Sequence, residues 1–340
     1  MSAVQHDNLT LRQFVEGFFA PIAAHFADPS VSEIMINGPS LVFIERKGTI
    51  SKSEARFPHR AALVSALRAT AQYLGRPFDE LHPILEGRLP DGSRIEAILD
   101  PVAQAGPCVA IRRHQTASVT LAQLVQWGAL SQQVVQLLQG YSIGAKNIIV
   151  SGGTGTGKTS LLRCIASLIP ADLRIVTIED ARELALPHPN VVSLEARPAD
   201  ERGRGALDTG QLFAATLRLR PDRIVIGELR GAEAMDLVQA MTSGHGGCLS
   251  TLHASTPLDA LRRLETLALF RGLSLPLAAL RSQIAAAVDV IVQVERTRDG
   301  RRRVSEVVEV LPLDQQGQYQ LKPAAVRARG DVLQVVDGAA

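Results

Sequence analysis

Two rhythms of apolar and polar positions divide the chain. From Leu9 to Phe26 apolar residues recur at helical spacing, interrupted at Pro21, and Asp28-Pro29-Ser30 makes a turn. Ile34 to Gly38 predicts a strand ending in a turn. Leu41–Glu45 and Thr49–Ser51 flank Arg46-Lys47-Gly48 as a hairpin. Ala61 to Leu74 carries Leu63, Ala66, Leu67 and Leu74 on one face and stops at Gly75, the pattern of a helix. Ile84–Arg88, Ser93–Leu99 and Cys108–Arg112 predict three more short strands. Together these form a small mixed α+β domain. His114 to Thr120 has few large apolar residues and reads as a linker.

Beyond it, short helices at Leu121–Trp127 and Ser131–Gln139 give way to apolar strands alternating with amphipathic helices. The strands are Ile148–Val150, Arg174–Ile178, Val191–Leu194, Arg223–Ile226 and Cys248–Leu252; helices fall at Ser160–Ala166, Gly210–Leu219 and Ala232–Thr242. That alternation predicts a parallel sheet covered on both faces. Helices at Leu258–Leu269 and Leu277–Ala287 follow, then a hairpin of Val288–Glu295 and Val304–Leu311 turning at Arg298-Asp299-Gly300. Pro323 to Ala340 is weakly patterned and receives no assignment. The fold class is therefore α/β, with an N-terminal α+β domain at 1–114, a linker at 115–121 and a second domain at 122–340.

Composition narrows the partners. The chain has 340 residues, 46% hydrophobic and 21% charged, enough for two cores of ordinary globular type. A formal net charge of +2 and 4% aromatic residues argue against nucleic-acid binding by bulk charge or base stacking. No apolar run is long enough to span a bilayer, and the N-terminus lacks a secretory pattern, so a cytoplasmic location is expected. Cys108, Cys164 and Cys248 are scattered among apolar neighbours and read as buried thiols.

The chemistry centres on Gly152-Gly153-Thr154-Gly155-Thr156-Gly157-Lys158-Thr159, followed by Ser160. It fits G-x-x-x-x-G-K-[ST] between a buried strand and a helix. Its glycines let backbone N–H groups turn onto phosphate oxygens, Lys158 adds a full charge, and the Thr159 hydroxyl is placed for Mg²⁺. The chain therefore binds a nucleoside triphosphate, read as ATP.

Parallel sheets present ligand groups at the carboxyl ends of their strands, and three strands deliver polar residues there. One ends in Glu179-Asp180, which either serve the metal or simply begin the next turn. Another ends in Gly227-Glu228, where a carboxylate acting on the attacking water is expected. The aspartate usual before such a glutamate is replaced by Gly227, which shifts metal duty to Thr159, Glu179 and Asp180. A third strand is preceded by Gly244-His245-Gly246-Gly247 and ends in His253. His253, paired with His245 across the strand, reads as a γ-phosphate contact, or else as a satisfied strand-end histidine. Arg197, Arg202, Arg204, Arg218, Arg220 and Arg223 form one set of arginines; Arg94, Arg112 and Arg113 form another. Each is solvated surface or a guanidinium for the developing phosphate charge.

These motifs resemble the type II/type IV secretion ATPases, whose Walker A loop, acidic Asp box, Walker B with Gly-Glu and His box appear here in the family's order. They correspond to Gly152–Thr159, Thr177–Asp180, Ile224–Gly231, and Thr242–His245 running to Thr251–Ala254. The match extends from about Val31 to Leu311. Ile178–Leu184 and Gly203–Ala206, with Leu217–Pro221, resemble the tight-adherence (Flp) pilus branch, CpaF/TadA. The Cys-rich zinc insertion of type II secretion and many type IV pilus extension ATPases is absent, and the long N-terminal extension common in the Flp branch is short or missing, a departure from that branch. The resemblance implies a PAS-like N-terminal domain joined to a RecA-like ATPase domain, a hexameric ring and nucleotide held between the domains. It implies Arg94 and Arg112 as first-domain arginines reaching phosphate, Arg113 and His245 beside the nucleotide, Glu228 as catalytic glutamate and His253 as γ-phosphate sensor. Work on an inner-membrane pilus or secretion platform is implied, with the chain peripheral to that membrane through its partners. A type IV secretion or conjugation ATPase, a DNA translocase of the same core fold, and a nucleotide-gated scaffold of low turnover are the rivals.

Overall fold

The computed structural model describes residues 13–15, 17–46, 48–113, 119–197, 199, 203–272, 274–327 and 332–336. Most of the expected linker and Arg202 lie outside these. Contacts divide the chain into two units, one holding residues up to 117 together with 200–204, the other holding the remainder.

In the first unit, residues 13–15 and 17–18 are helical, and a 3₁₀ turn containing Pro21 (Ala20–Ile22) leads into α1 (Ala23–Ala27). Six strands follow: β1 (Val31–Asn37), β2 (Val42–Arg46), β3 (Thr49–Ser53), β4 (Ile84–Arg88), β5 (Arg94–Ile98) and β6 (Cys108–Arg112). They pair antiparallel in the order β3-β2-β1-β6-β5-β4. Between β3 and β4 runs α2 (Arg60–Leu74), whose N-cap His59 accepts from the Ala62 N–H and whose C-cap Gly75 is left-handed at φ 64°. Leu63, Leu67 and Ala71 of α2 pack with Phe19, Ile34, Ile44, Ile95 and Ile111 in a core made entirely from this unit.

The second unit opens with α3 (Leu121–Gln126), held by a Thr120–Gln123 capping box, and α4 (Gln132–Ile143). α4 outruns the helix expected to end at Gln139 because Tyr141, buried against the sheet, donates its hydroxyl to Glu309 at 2.8 Å. Then come β7 (Ile148–Gly152), α5 (Lys158–Ala166), β8 (Ile175–Glu179), β9 (Val191–Glu195), α6 (Thr209–Thr216) and β10 (Arg223–Ile226). They are followed by α7 (Glu233–Thr242), β11 (Leu249–Leu252), α8 (Pro257–Leu269) and α9 (Leu277–Ala287). The chain closes with β12 (Val290–Arg296), β13 (Arg302–Leu311), β14 (Gln320–Arg327) and β15 (Leu333–Val335).

The sheet order is β15-β14-β13-β12-β7-β11-β10-β8-β9. From β12 to β9 every pairing is parallel; β13, β14 and β15 add an antiparallel edge. The sheet is thus mixed where a parallel one was expected, because the hairpin of β12 and β13 joins its edge and the chain after it adds β14 and β15. Alternate residues serve opposite faces. Ile149, Ile224, Ile226 and Ile291 pack with α7, α8 and α9, while Ile148, Val150, Val225 and Val292 pack with α4 and α5. Cys164 and Cys248 lie inside, where burial pushes their thiols up to about 11 and about 12. No helix among the described residues is long and apolar enough to cross a membrane.

Candidate functional site

β7 is buried along its whole length and delivers the glycine-rich loop at its carboxyl end. Gly152 is demanded by the neighbouring strand: a β-carbon there would stand 2.5 Å from the Val294 carbonyl oxygen of β12 and 2.8 Å from Thr156 Oγ1. Gly155 and Gly157 take left-handed φ of 71° and 90°, the freedom that lets the loop fold back on the helix. Gly153, Thr154 and Gly155 are exposed at the crest. Thr156 donates its hydroxyl to the Gly153 carbonyl at 2.9 Å, closing the loop on itself. α5 begins at Lys158 with Gly157 as N-cap and no side-chain cap, so the first-turn N–H groups, those of Thr159 and Ser160 among them, have no intrahelical acceptor.

Lys158 is buried, and its Nζ donates to the Gly153 carbonyl at 2.9 Å. The same ammonium lies 3.2 Å from His253 Nδ1. His253 Nε2 is in turn 2.7 Å from Glu228 Oε1. A neutral imidazole with its proton on Nε2 satisfies both neighbours, accepting from the lysine and donating to the carboxylate. Burial first, then the adjacent lysine, holds the imidazole below its ordinary value, in keeping with that form. Burial likewise lowers Lys158, against the pull of Glu228.

Glu228 is shared. Its Oε2 accepts from Arg230 Nη2 at 2.7 Å, and Arg230 Nη1 reaches Asp180 Oδ2 at 3.3 Å. Thr251 of β11 donates to the Gly227 carbonyl at 2.7 Å and so fixes the backbone just before Glu228. In the sequence Arg230 is only a letter of the motif; its place two residues past the strand-end carboxylate is the signal that marks it.

Glu179 ends β8 with its side chain buried, and its Oε1 accepts from the backbone N–H groups of Glu183 and Leu184 at 2.8 and 2.9 Å. Burial raises its pKa, and those two bonds oppose the rise. A β-carbon at Gly227 would come within 3.2 Å of Glu179 Cγ. The missing aspartate thus has a packing reason: the side chain from β8 fills the space a residue 227 side chain would need.

Gln293 is a second residue that sequence reasoning passed over. On β12 it is buried, and its Nε2 donates to the carbonyls of Ala254 and Ser255 at 3.3 and 3.1 Å, holding the chain just after His253. One amide inside the apolar run Val290–Val294 was its signal.

Other expected residues are elsewhere. His245 precedes β11, at the opposite end of that strand from His253; the adjoining Gly246 packs against Ala145, ahead of β7. The two histidines are therefore not brought together, because β11 separates them along its length. Arg94 and Arg112 belong to the first unit, where they are direct partners across β5 and β6. Arg113 is half-buried in that unit: it donates to the His25 carbonyl at 2.9 Å, faces Asp91 at 3.6 Å and lies 5.0 Å over the Phe26 ring. Arg197 donates to the Gly205 carbonyl at 2.7 Å, and Arg223 packs along Gly247. Among the described residues no cluster of three or more His, Cys, Asp or Glu side chains could hold a metal by itself.

Comparison with known proteins bears on the same arrangement. The family described as "Type II/IV secretion system protein" matches residues 18–331. A protein of Mycobacterium tuberculosis (strain H37Rv) with a provisional conjugal-transfer name is 38% identical over 282 residues, covering 81% of this chain and 80% of that one. The conjugal transfer protein TrbB of Rhizobium radiobacter is 36% identical over 288 residues, covering 83% and 84%. Among solved structures, the ATPase DotB of Legionella pneumophila superposes with a TM-score of 0.59 at 21% identity, covering 85% of this chain and 79% of that one, a likeness of fold.

Proposed function

The chain belongs to the type II/IV secretion system protein family, and from that footing we propose that it hydrolyses ATP as the motor of a secretion or conjugation machine. The observation carrying this is the chain of contacts from Lys158 through His253 to Glu228, at 3.2 and 2.7 Å, where the carboxyl ends of three adjacent parallel strands meet.

In this reading the N–H groups of the loop and of the first turn of α5 take the phosphates, and Lys158 exchanges the Gly153 carbonyl for β- and γ-phosphate oxygens. Glu228 accepts a proton from the water that attacks the γ-phosphorus, the bond to the ADP oxygen breaks, and ADP and phosphate leave. His253, released from Lys158, turns its ring toward the γ-phosphate and reports its presence to Glu228. Thr159, with Glu179 and Asp180 acting through water, would hold Mg²⁺. Hydroxyl and carboxylate oxygens suit that cation, and Glu179 commits only Oε1 to the backbone. Bound there, the ion neutralises charge on the β- and γ-phosphates.

Arg94 and Arg112 are the guanidinium groups assigned to the developing phosphate charge, and the working assembly is a hexameric ring. Arg113, tied to His25, Asp91 and Phe26, supports the first unit's fold. The ring works at the cytoplasmic face of an inner-membrane platform. The conjugal-transfer names of the relatives draw the reading toward that kind of machine rather than the tight-adherence pilus branch.

Glu228→Gln tests the assignment. It keeps the site's shape and removes the base, so ATP binding should persist while turnover falls roughly 10²- to 10⁴-fold. Unchanged steady-state turnover would refute the role given to Glu228.

A further inference from the structure

We propose that Arg302 is a nucleotide-binding residue that grips the α-phosphate end of the ligand, an assignment that rests on the nucleotide reading above. The first observation is a contact. The aliphatic stem of Arg302 lies against the last glycine of the phosphate loop: a β-carbon built on Gly157 would stand 3.5 Å from Arg302 Cδ. Gly157 is the N-cap of α5, so the stem of Arg302 crosses the point from which the first N–H groups of that helix emerge.

The second observation is charge. Arg302 begins β13 in a hairpin rich in arginine, and two of its neighbours are spent locally. Arg301 is on Asp299 at 2.6 Å and Arg303 on Glu295 at 2.7 Å. Arg302 is exposed; its backbone pairs with Arg296 across the hairpin, but its guanidinium has no hydrogen-bond or carboxylate partner among the described residues. A guanidinium left without a counter-ion, on a stem that passes the last glycine of the phosphate loop, suits an anion with planar oxygen pairs.

Sheet order assigns which end of the nucleotide it meets. β7 has β11 on one side and β12, backed by β13, on the other. His253 and Glu228 follow β11 and β10, so the terminal phosphate belongs on that flank. Arg302 comes from the opposite flank, across β12. A triphosphate with its γ group at Lys158 and Glu228 directs its α-phosphate and nucleoside toward Arg302. That end is common to ATP and ADP, so Arg302 serves substrate and product alike, whereas His253 and Glu228 answer to the γ-phosphate.

Equilibrium titration of the full chain with ADP and with a non-hydrolysable ATP analogue tests this, using wild type, Arg302→Ala, Arg302→Lys and Lys158→Ala. Arg302→Ala should weaken both ligands by the same factor, on the order of tenfold. Arg302→Lys, which keeps the charge and loses the fork, should weaken them less. Because Arg302 is exposed, thermal unfolding of the free variants should match wild type. Unchanged affinity in Arg302→Ala overturns the proposal alone, as does loss of the ATP analogue with ADP untouched, which would move the contact to the γ-phosphate. Wild type that binds neither nucleotide, like Lys158→Ala, would sink the nucleotide reading and this proposal with it.

Discussion

Glu179 shows how one side chain can hold opposing demands. Its carboxylate is buried, which disfavours the charge, yet one oxygen accepts two backbone N–H bonds, which favour it. Burial is the larger cause, so the folded pKa lies above the unfolded one. The folded state then binds the proton more tightly, and the stability this contributes is present in acid and lost as pH rises through the folded value. Glu179→Gln keeps an oxygen for Glu183 and Leu184 without the charge. In urea unfolding it should match or exceed wild type at about pH 8, with the advantage shrinking toward about pH 4.5. Glu179→Ala leaves the two N–H groups without their acceptor and should cost about 1–3 kcal/mol.

Between elements, the decisive event is the close passage of β12 beside the end of β7. The Val294 carbonyl faces Gly152 at a distance that no β-carbon tolerates, and backbone cannot rotate away as a side chain can. Gly152→Ala should therefore destabilise the free protein by about 1–3 kcal/mol, read from thermal or urea unfolding, before any nucleotide is added. Gly153→Ala is the internal comparison. Its β-carbon would meet nothing nearer than Thr156 Cγ2 at 3.8 Å, so its stability should stay within about 0.5 kcal/mol of wild type. Two glycines adjacent in one motif thus answer to different masters, one to a neighbouring strand and the other to the phosphate.

Across the molecule, each unit carries its own interior. The buried cluster around Phe19, Ile34 and Leu67 draws only on the first unit, and the two clusters flanking the large sheet draw only on the second. Residues 119–340 expressed alone should accordingly unfold in one cooperative transition. ADP should stabilise that fragment, by about 2.7 kcal/mol at a hundredfold excess over its dissociation constant. A fragment that fails to fold, or that folds without responding to ADP, would show that the second unit depends on the first.

Sequence alone determined the parts whose signal is local. Turn glycines, caps and the two hydrophobic periods placed nearly every described helix and strand, because each of those forces acts within a few residues. The phosphate loop was legible for the same reason: its backbone geometry is written in adjacent glycines, Lys158 and Thr159. Strand-end position also marked Glu179, Glu228 and His253, since a buried parallel strand exposes only its ends. Tertiary structure alone decided what depends on neighbours distant in sequence. It added β14 and β15 from a stretch with little pattern, set His245 at the far end of β11, and spent Arg113 inside its own unit. It joined Arg230 to both Glu228 and Asp180, put Gln293 beneath the His253 loop, and explained Gly227 through the side chain of Glu179. Those choices follow from which strand lies next to which, a matter of packing between segments that no short window of sequence contains.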